Sequence, residues 1–245
     1  MKRILKSQVD LLPLLGFAAH PDDIEFACGG VVAKETFLGR PAHFVICSKG
    51  EAGSYGTPKQ RVAEAKKAAK LLGATVEFIE LDGDAHLELK SAHAIKLARI
   101  ARRVKPGIVL APSVVENQHP DHWRLGCLVR DAVRLARYGG VKELRNAPAH
   151  AIGHLLFYAV TPDAEPRDAT PVFIDVSEPE IVAAWTAAMQ AHASQTSARA
   201  YVELQLARAH ANGLRAGVSH AIALFPGNPF VLDSLAPLSR GARGF

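Results

Sequence analysis

The chain has 245 residues, 49% of them hydrophobic and 22% charged, the balance of an ordinary globular protein and not of a disordered or collagen-like one. Lys and Arg number 29 against 24 Asp and Glu, so the net charge of +5 is modest and spread along the sequence. There is no dense basic block to mark a nucleic-acid surface and no apolar run near the roughly 18 residues of a membrane span. An excess of this size suits a small anionic substrate.

The first residues, MKRILKSQVDLLPLLGF, mix basic residues with leucines. Asp10 interrupts them and Pro13 comes next, without the small-residue cleavage site of a signal peptide, so they read as the approach to a first strand. Residues 14–19 (LLGFAA) are that strand, and residues 26–38 form a helix that Gly39 ends. Residues 43–48 (HFVICS) are a second strand, which leads into the polar loop KGEAGSYGT. Thr57 as N-cap and Pro58 at the first helical position then open a helix. Its Val62, Ala65, Ala69 and Leu72 recur at helical spacing up to Gly73.

A third strand at 75–81 (TVEFIEL) leads into the loop DGDAHLE and a helix over 90–104, whose apolar face is Ala94, Leu97, Ala98, Ala101 and Val104. Pro106 and Gly107 break it, residues 108–111 are a wholly apolar fourth strand, and a long loop to His122 precedes a helix over about 123–138. Strand and helix alternating four times predict an α/β fold: a Rossmann-like, doubly wound, mainly parallel sheet with helices on both faces. Further on, 155–160 and 172–176 read as strands, 178–194 and about 199–212 as helices, 162–171 as a surface loop, and the Pro-, Gly- and Arg-rich tail from Pro226 as an arm or partner contact. No linker divides the chain. The expectation is a single domain over 1–245, with a Rossmann-like part over about 10–140 and C-terminal strands, helices and tail over about 150–245. Cys28, Cys47 and Cys127 form no C-x-x-C pair and each lies in an apolar run, which predicts buried free thiols in a reducing, cytoplasmic setting.

No G-x-G-x-x-G stands after the first strand, so a dinucleotide site is not expected. The strand runs instead into His20, Pro21, Asp22 and Asp23. Eight residues past the end of the fourth strand come His119, Pro120, Asp121 and His122. In a sheet ordered 3-2-1-4-5, strands one and four are neighbours where the winding reverses, and ligands bind beyond their carboxyl ends. The two clusters should therefore meet. Two His and one carboxylate with an open position is a common catalytic zinc arrangement, and the same set also suits ferrous iron or another divalent metal. One H-P-D could be a simple turn; two at adjacent strand ends point to a metal site. Spacing does not choose between Asp22 and Asp23 as ligand. The remaining histidines, His43, His86, His93, His150, His154, His192, His210 and His220, read as solvated or hydrogen-bonded residues.

The segments AAHPDDIEFACGG, SKGEAGSYGTPKQRVAEAKKAAKLLGA, HPDH, PVFIDVSE and AHASQ together resemble the LmbE-like, or PIG-L, family of zinc-dependent N-acetylglucosamine deacetylases. The resemblance runs to about residue 235. LARAHANGLRAGVSHAIALF is most similar to the bacillithiol-pathway branch, which deacetylates N-acetylglucosaminyl malate. The resemblance implies His20, Asp23 and His122 as zinc ligands and Asp22 as general base. His119 would be the protonated group that meets the oxyanion or the leaving amine, with Asp121 orienting it and holding it charged. Glu51, Arg61, Asp84 and Asn117 would contact the sugar, with Arg61 able to clamp a carboxylate. The family's aromatic residue ahead of H-P-D-H is Asn117 here, and its D-G after the third strand is Asp84 and Ala85. The resemblance also implies a small N-acetylglucosaminide as partner, no nucleic acid or membrane, and a homo-oligomer, a hexamer being one such form. Competing expectations are an amidase of a thiol–sugar conjugate, a deacetylase of another N-acetylglucosamine substrate such as a chitin fragment, and a non-catalytic binding protein.

Overall fold

The computed structural model describes residues 11–116, 119–197, 199–235, 238 and 241. Its apolar runs become seven strands: β1 (Leu14–Ala18), β2 (Ala42–Ile46), β3 (Thr75–Phe78), β4 (Ile108–Pro112), β5 (His154–Tyr158), β6 (Val172–Asp175) and β7 (Ala221–Pro226). They form one sheet ordered β3-β2-β1-β4-β5-β7-β6. The first five run parallel to one another, and β7 runs antiparallel to both β5 and β6. The expected 3-2-1-4-5 order is present, with a β7-β6 extension at one edge. β7 was not expected, although its apolar AIALF run between Ser219 and Pro226 is a strand signal.

The helices are α1 (Asp23–Phe37), α2 (Pro58–Leu71), α3 (Ser91–Val104), α4 (Pro120–Arg137), α5 (Pro179–Gln190), the single turn α6 (Ala193–Thr196) and α7 (Tyr201–Ala216). Side chains of a strand alternate between faces, and β1 divides the core accordingly. Leu14 and Ala18 pack with residues of α1, α2, α5 and α7, while Leu15 and Phe17 pack with α3 and α4. Thr57 caps α2 as expected, its hydroxyl accepting from the Gln60 N–H at 3.2 Å. The helix expected over 178–194 is instead α5 and then α6, and the last helix extends to Ala216.

Two differences matter for function. α1 begins at Asp23 and α4 at Pro120, each about three residues earlier than the apolar periodicity indicates. Pro120 at the first helical position supplies a preset φ, and His119 caps the helix by accepting the Asp121 N–H on Nδ1 at 3.3 Å. The first His/Asp cluster therefore occupies the short turn between β1 and α1, and the second forms the cap and first turn of α4.

α1 is kinked at Cys28, where φ is −145°. Trp185 of α5, 1% exposed, fills the kink: its indole N–H donates to the Glu25 carbonyl at 2.6 Å. Gly29 and Gly30 make room for the ring, since a Cβ on Gly29 would lie 2.7 Å from it and one on Gly30 2.9 Å from Ile222. This contact fixes the helix that carries Asp23 against the second half of the chain. Trp185→Ala should lower the unfolding free energy by about 3–5 kcal/mol, the scale for truncating a buried aromatic. Trp185→Phe, which keeps a ring but strands the Glu25 carbonyl, should cost less. Chemical denaturation of the two variants checks both values.

Candidate metal centre and active site

β1 and β4 are hydrogen-bonded neighbours in parallel register, so their carboxyl ends open onto the same crevice. Gly126 lets the first turns of α4 lie close over the end of β4, where a Cβ would come within 2.4 Å of the Pro112 carbonyl. At the other turn, Asp23 folds its carboxylate back onto the chain, and Oδ2 accepts the N–H groups of Ala19 and His20, both at 2.9 Å. Asp22, between them, is held at φ 141°, outside the regions an L-residue prefers. Such strain costs about 1–3 kcal/mol and is characteristic of functional turns.

Three donor atoms converge across the crevice. His20 Nδ1 lies 3.2 Å from His122 Nε2, His122 Nε2 lies 3.1 Å from Asp23 Oδ1, and Asp23 Oδ1 lies 3.6 Å from His20 Nδ1. Zinc bonds to nitrogen or oxygen of about 2.0–2.2 Å place the corners of a tetrahedron about 3.3–3.6 Å apart. The triangle thus matches three corners of such a site, and the cluster can hold a divalent metal. Two other donor groups meet among the described residues: His20, His119 and His122, and His20, Asp84, His119 and Asp121. The electrostatics also favour a cation. Burial would lift the Asp23 carboxyl, yet His122 and His20 beside it hold it well below the usual range. Burial would lower the His20 pKa, yet Asp23, Asp121 and Asp84 hold it well above the ordinary value.

Asp22 borders this triangle and has a different environment. Burial pushes its carboxyl up to about 6, against the opposing pull of Arg61. Arg61, 5% exposed, donates from Nη2 to Asp22 Oδ2 at 3.2 Å and to the Pro21 carbonyl at 3.3 Å, and from Nη1 to the Gly50 carbonyl at 3.0 Å. The loop after β2 is shaped around this guanidinium. Gly50, at φ 70°, has no room for a Cβ, which would lie 2.0 Å from Arg61 Nη1, and a Cβ on Gly53 would lie at 2.8 Å. Arg61 was expected as a clamp for a substrate carboxylate; its Nη atoms here serve the loop and Asp22, and Nε is the nitrogen without a hydrogen-bond partner.

The other expected contacts knit the loops together. Glu51 accepts the N–H groups of Lys49 and Asp84, at 2.8 and 3.0 Å. Asp84 accepts the Ala52 N–H on Oδ2 at 3.0 Å, and Asp121 accepts the Ala85 N–H on Oδ2 at 2.7 Å. Asp121 was expected to orient His119 through its carboxylate and hold it charged. The structure gives their contact another form: the backbone N–H of Asp121 donates to His119 Nδ1, and Asp121 Oδ2 faces His20 Nε2 at 3.5 Å. Burial and the charges of His20 and His122 hold His119 below the ordinary imidazole range. Asn117 lies outside the described residues.

The cluster forms the floor of a cavity of about 440 Å³. Sequence reasoning missed the opposite wall, which includes Val160, Thr161, Gln195, Tyr201, Leu204 and Gln205. Tyr201, Leu204 and Gln205 are spaced i, i+3, i+4 on the opening of α7, a periodicity that marks a shared face without saying what it faces. His192 also departs from expectation. It is fully buried, its Nε2 is 3.5 Å from Glu25 Oε1, and neither ring nitrogen has a hydrogen bond of good geometry.

Residues 15–133 match the family described as PIG-L, GlcNAc-PI de-N-acetylase. A 4-oxalmesaconate hydratase of Pseudomonas putida is 31% identical over 137 residues, covering 51% of this chain and 53% of the relative. A diacetylchitobiose deacetylase of Thermococcus kodakarensis is 29% identical over 137 residues, covering 52% of this chain and 51% of the relative. These alignments span about half the length of each curated relative. A conserved protein of Thermus thermophilus, known from its crystal structure, superposes with a TM-score of 0.78 at 30% identity, covering 94% of this chain and 100% of that one. The chain belongs to the PIG-L family.

His122→Ala removes one corner of the donor triangle. It should abolish high-affinity binding of one divalent ion per chain, measured by metal analysis after dialysis from a chelator. Full metal content in that variant would exclude His122 as a ligand. Gly50→Ala should displace Arg61 from Asp22 while leaving metal content intact.

Proposed function

We propose that this PIG-L family member is a zinc-dependent hydrolase that removes the acetyl group from an N-acetylglucosaminide. The observation that carries this reading is the pairing of a three-donor triangle with a separate, strained and half-buried carboxylate, Asp22, beside it. A purely structural metal site needs the triangle but has no use for the neighbouring carboxylate.

His20 Nδ1, Asp23 Oδ1 and His122 Nε2, which line the floor of the cavity, would hold the ion. When bound there, a divalent ion supplies Lewis-acid activation of water and of the amide carbonyl. Asp22 accepts the proton of the attacking water as general base, and Arg61 keeps its carboxylate turned to the site. His119 accepts the Asp121 N–H on Nδ1, so its neutral form carries hydrogen on Nε2, which lies 3.9 Å from Asp84 Oδ1 at the cavity lining. That N–H donates to the carbonyl oxygen as negative charge develops. The leaving amine takes its proton from Asp22 or His119, and acetate and a free glucosamine nitrogen result. Glu51 is exposed and bonded within the loops, and Asp84 is buried with one oxygen bonded to the Ala52 N–H, which leaves the sugar to be gripped largely by the wall opposite, where Gln195, Tyr201 and Gln205 offer amide and hydroxyl groups.

The finer reading is N-acetylglucosaminyl malate as substrate, in bacillithiol biosynthesis, by an assembled, cytoplasmic enzyme. Its support is the resemblance of the 206–225 segment, the +5 charge and Arg61, the one Lys or Arg among the described cavity-lining residues. A second reading is hydration of an unsaturated acid, favoured by the 31% identical hydratase. Hydration uses the same base but has no amine to protonate.

A panel assay separates these readings. Release of free amine from N-acetylglucosaminides, with no turnover of an unsaturated oxo-dicarboxylic acid, is the expected result, and the reverse pattern overturns deacetylation. Asp22→Asn should retain metal and lose roughly 10²–10⁴ in kcat, the scale of general-base catalysis. For the malate reading, Arg61→Lys should raise KM for the malate glycoside more than for a neutral glycoside of the same sugar. Equal efficiency of the unaltered enzyme on both glycosides would exclude an acidic aglycone.

A further inference from the structure

We infer that Asp84 is the positioning residue for His20: it takes the proton of His20 Nε2 in a hydrogen bond and thereby turns Nδ1, as the lone-pair nitrogen, toward the metal triangle. The inference rests on the metal reading above and gives Asp84 a different task from the sugar contact expected of it. His20 is a two-sided ring. Nδ1 is one corner of the triangle with His122 and Asp23, and Nε2 points the opposite way, 3.1 Å from Asp84 Oδ1 but not aligned as a hydrogen bond, so the ring must turn slightly to donate. A neutral imidazole has one N–H and one lone pair, so whatever fixes the proton on one nitrogen commits the other as ligand. A carboxylate that accepts the remote N–H of a metal-binding histidine fixes the tautomer and ring orientation and strengthens the ligand.

Asp84 is built for this task. Its side chain is 4% exposed, and Oδ2 is anchored by the Ala52 N–H at 3.0 Å, so Oδ1 is presented to His20 from a fixed carboxylate plane. The Asp84 N–H is in turn held by Glu51 at 3.0 Å. The loops after β2 and β3 thus converge on the back of His20. Asp121 competes for the same nitrogen, but Oδ2 lies 3.5 Å away and already accepts the Ala85 N–H at 2.7 Å. The shorter approach favours Asp84, whose Oδ1 otherwise faces His119 Nε2 at 3.9 Å and takes no backbone N–H.

The test is zinc affinity, measured by competition with a chromophoric chelator on the full chain, for the unaltered protein, Asp84→Asn and Asp121→Asn. Asn keeps an oxygen for the Ala52 N–H, so the loop can stay closed while the anionic acceptor is lost. The expected result is a loss of about 10–100-fold in affinity for Asp84→Asn, the range for removing such a partner, and a smaller loss for Asp121→Asn. Heteronuclear NMR of the His20 ring in the zinc-loaded protein supplies a second readout, which general loosening of the loop would not imitate. It should show hydrogen on Nε2 in the unaltered chain and a shifted Nε2 resonance in Asp84→Asn. Unchanged affinity in Asp84→Asn, or a loss confined to Asp121→Asn, overturns the inference with the metal site left standing. If the unaltered chain binds no zinc, both the inference and the metal reading fall.

Discussion

The Asp23 carboxylate joins the fold to the site. One of its oxygens closes the turn after β1 by taking two successive backbone N–H groups, and the other faces His122 on α4. A carboxylate this deeply buried is costly to desolvate, and it stays ionised because donors surround it. The N–H groups of Ala19 and His20 and the imidazoles of His20 and His122 all favour its charged form. Because β1 and β4 are adjacent, the same contact bridges two turns about a hundred residues apart in sequence. Neutralising or shortening Asp23 would open the turn that sets the backbone of Asp22, so the geometry of the candidate base depends on the candidate ligand beside it.

The pattern recurs around the crevice. Glu51, Asp84 and Asp121 each accept backbone N–H groups from neighbouring loops, so acidic side chains act as cross-links where regular strand pairing has ended. Charge-assisted hydrogen bonds of this kind are stronger than neutral ones and set direction as well as distance. Arg61 is the cationic counterpart, wrapped by Gly50 and Gly53 and aimed at Asp22. Gly50 and Gly53 of KGEAGSYGT, which by themselves signal only a loop, are needed because side chains there would occupy the guanidinium's space, whereas Gly56 clears Ser194. The result is a floor whose charged groups are held by backbone, as preorganisation requires.

How much of this could be read in advance depends on the range of the forces involved. The first four strands and their helices derive from local periodicity, and the meeting of His20 with His122 derives from strand order alone. The starts of α1 and α4 did not, because they are set by local capping and not by apolar periodicity: Pro120 with the His119 cap opens α4, and the Asp23 carboxylate closes the strained turn ahead of α1. The division of work among the acidic residues was hidden for a different reason, since it is decided by contacts between distant loops. Sequence cannot say whether Asp84 faces a substrate or the back of a histidine when both lie at one sheet edge. β7 was missed because an antiparallel strand returning between β5 and β6 breaks the alternation that made the first half legible.

That break in legibility coincides with a division of function. The donor triangle, Asp22, Arg61 and His119 all come from the segment that matches the family, residues 15–133. The facing wall comes from beyond it, from the end of β5, the α6 turn and the opening of α7. The Trp185 wedge and the buried Glu25–His192 pair fasten this second half to α1, the helix that carries the candidate ligand. Such an arrangement lets the reaction centre stay constant while the wall that meets the rest of the substrate changes, since the two share a cavity but few covalent neighbours. Membership of the family therefore speaks to the chemistry of the floor more than to the identity of the substrate. The features that select a substrate are to be sought in Gln195, Tyr201, Leu204 and Gln205, whose side chains can vary without disturbing a single donor of the triangle.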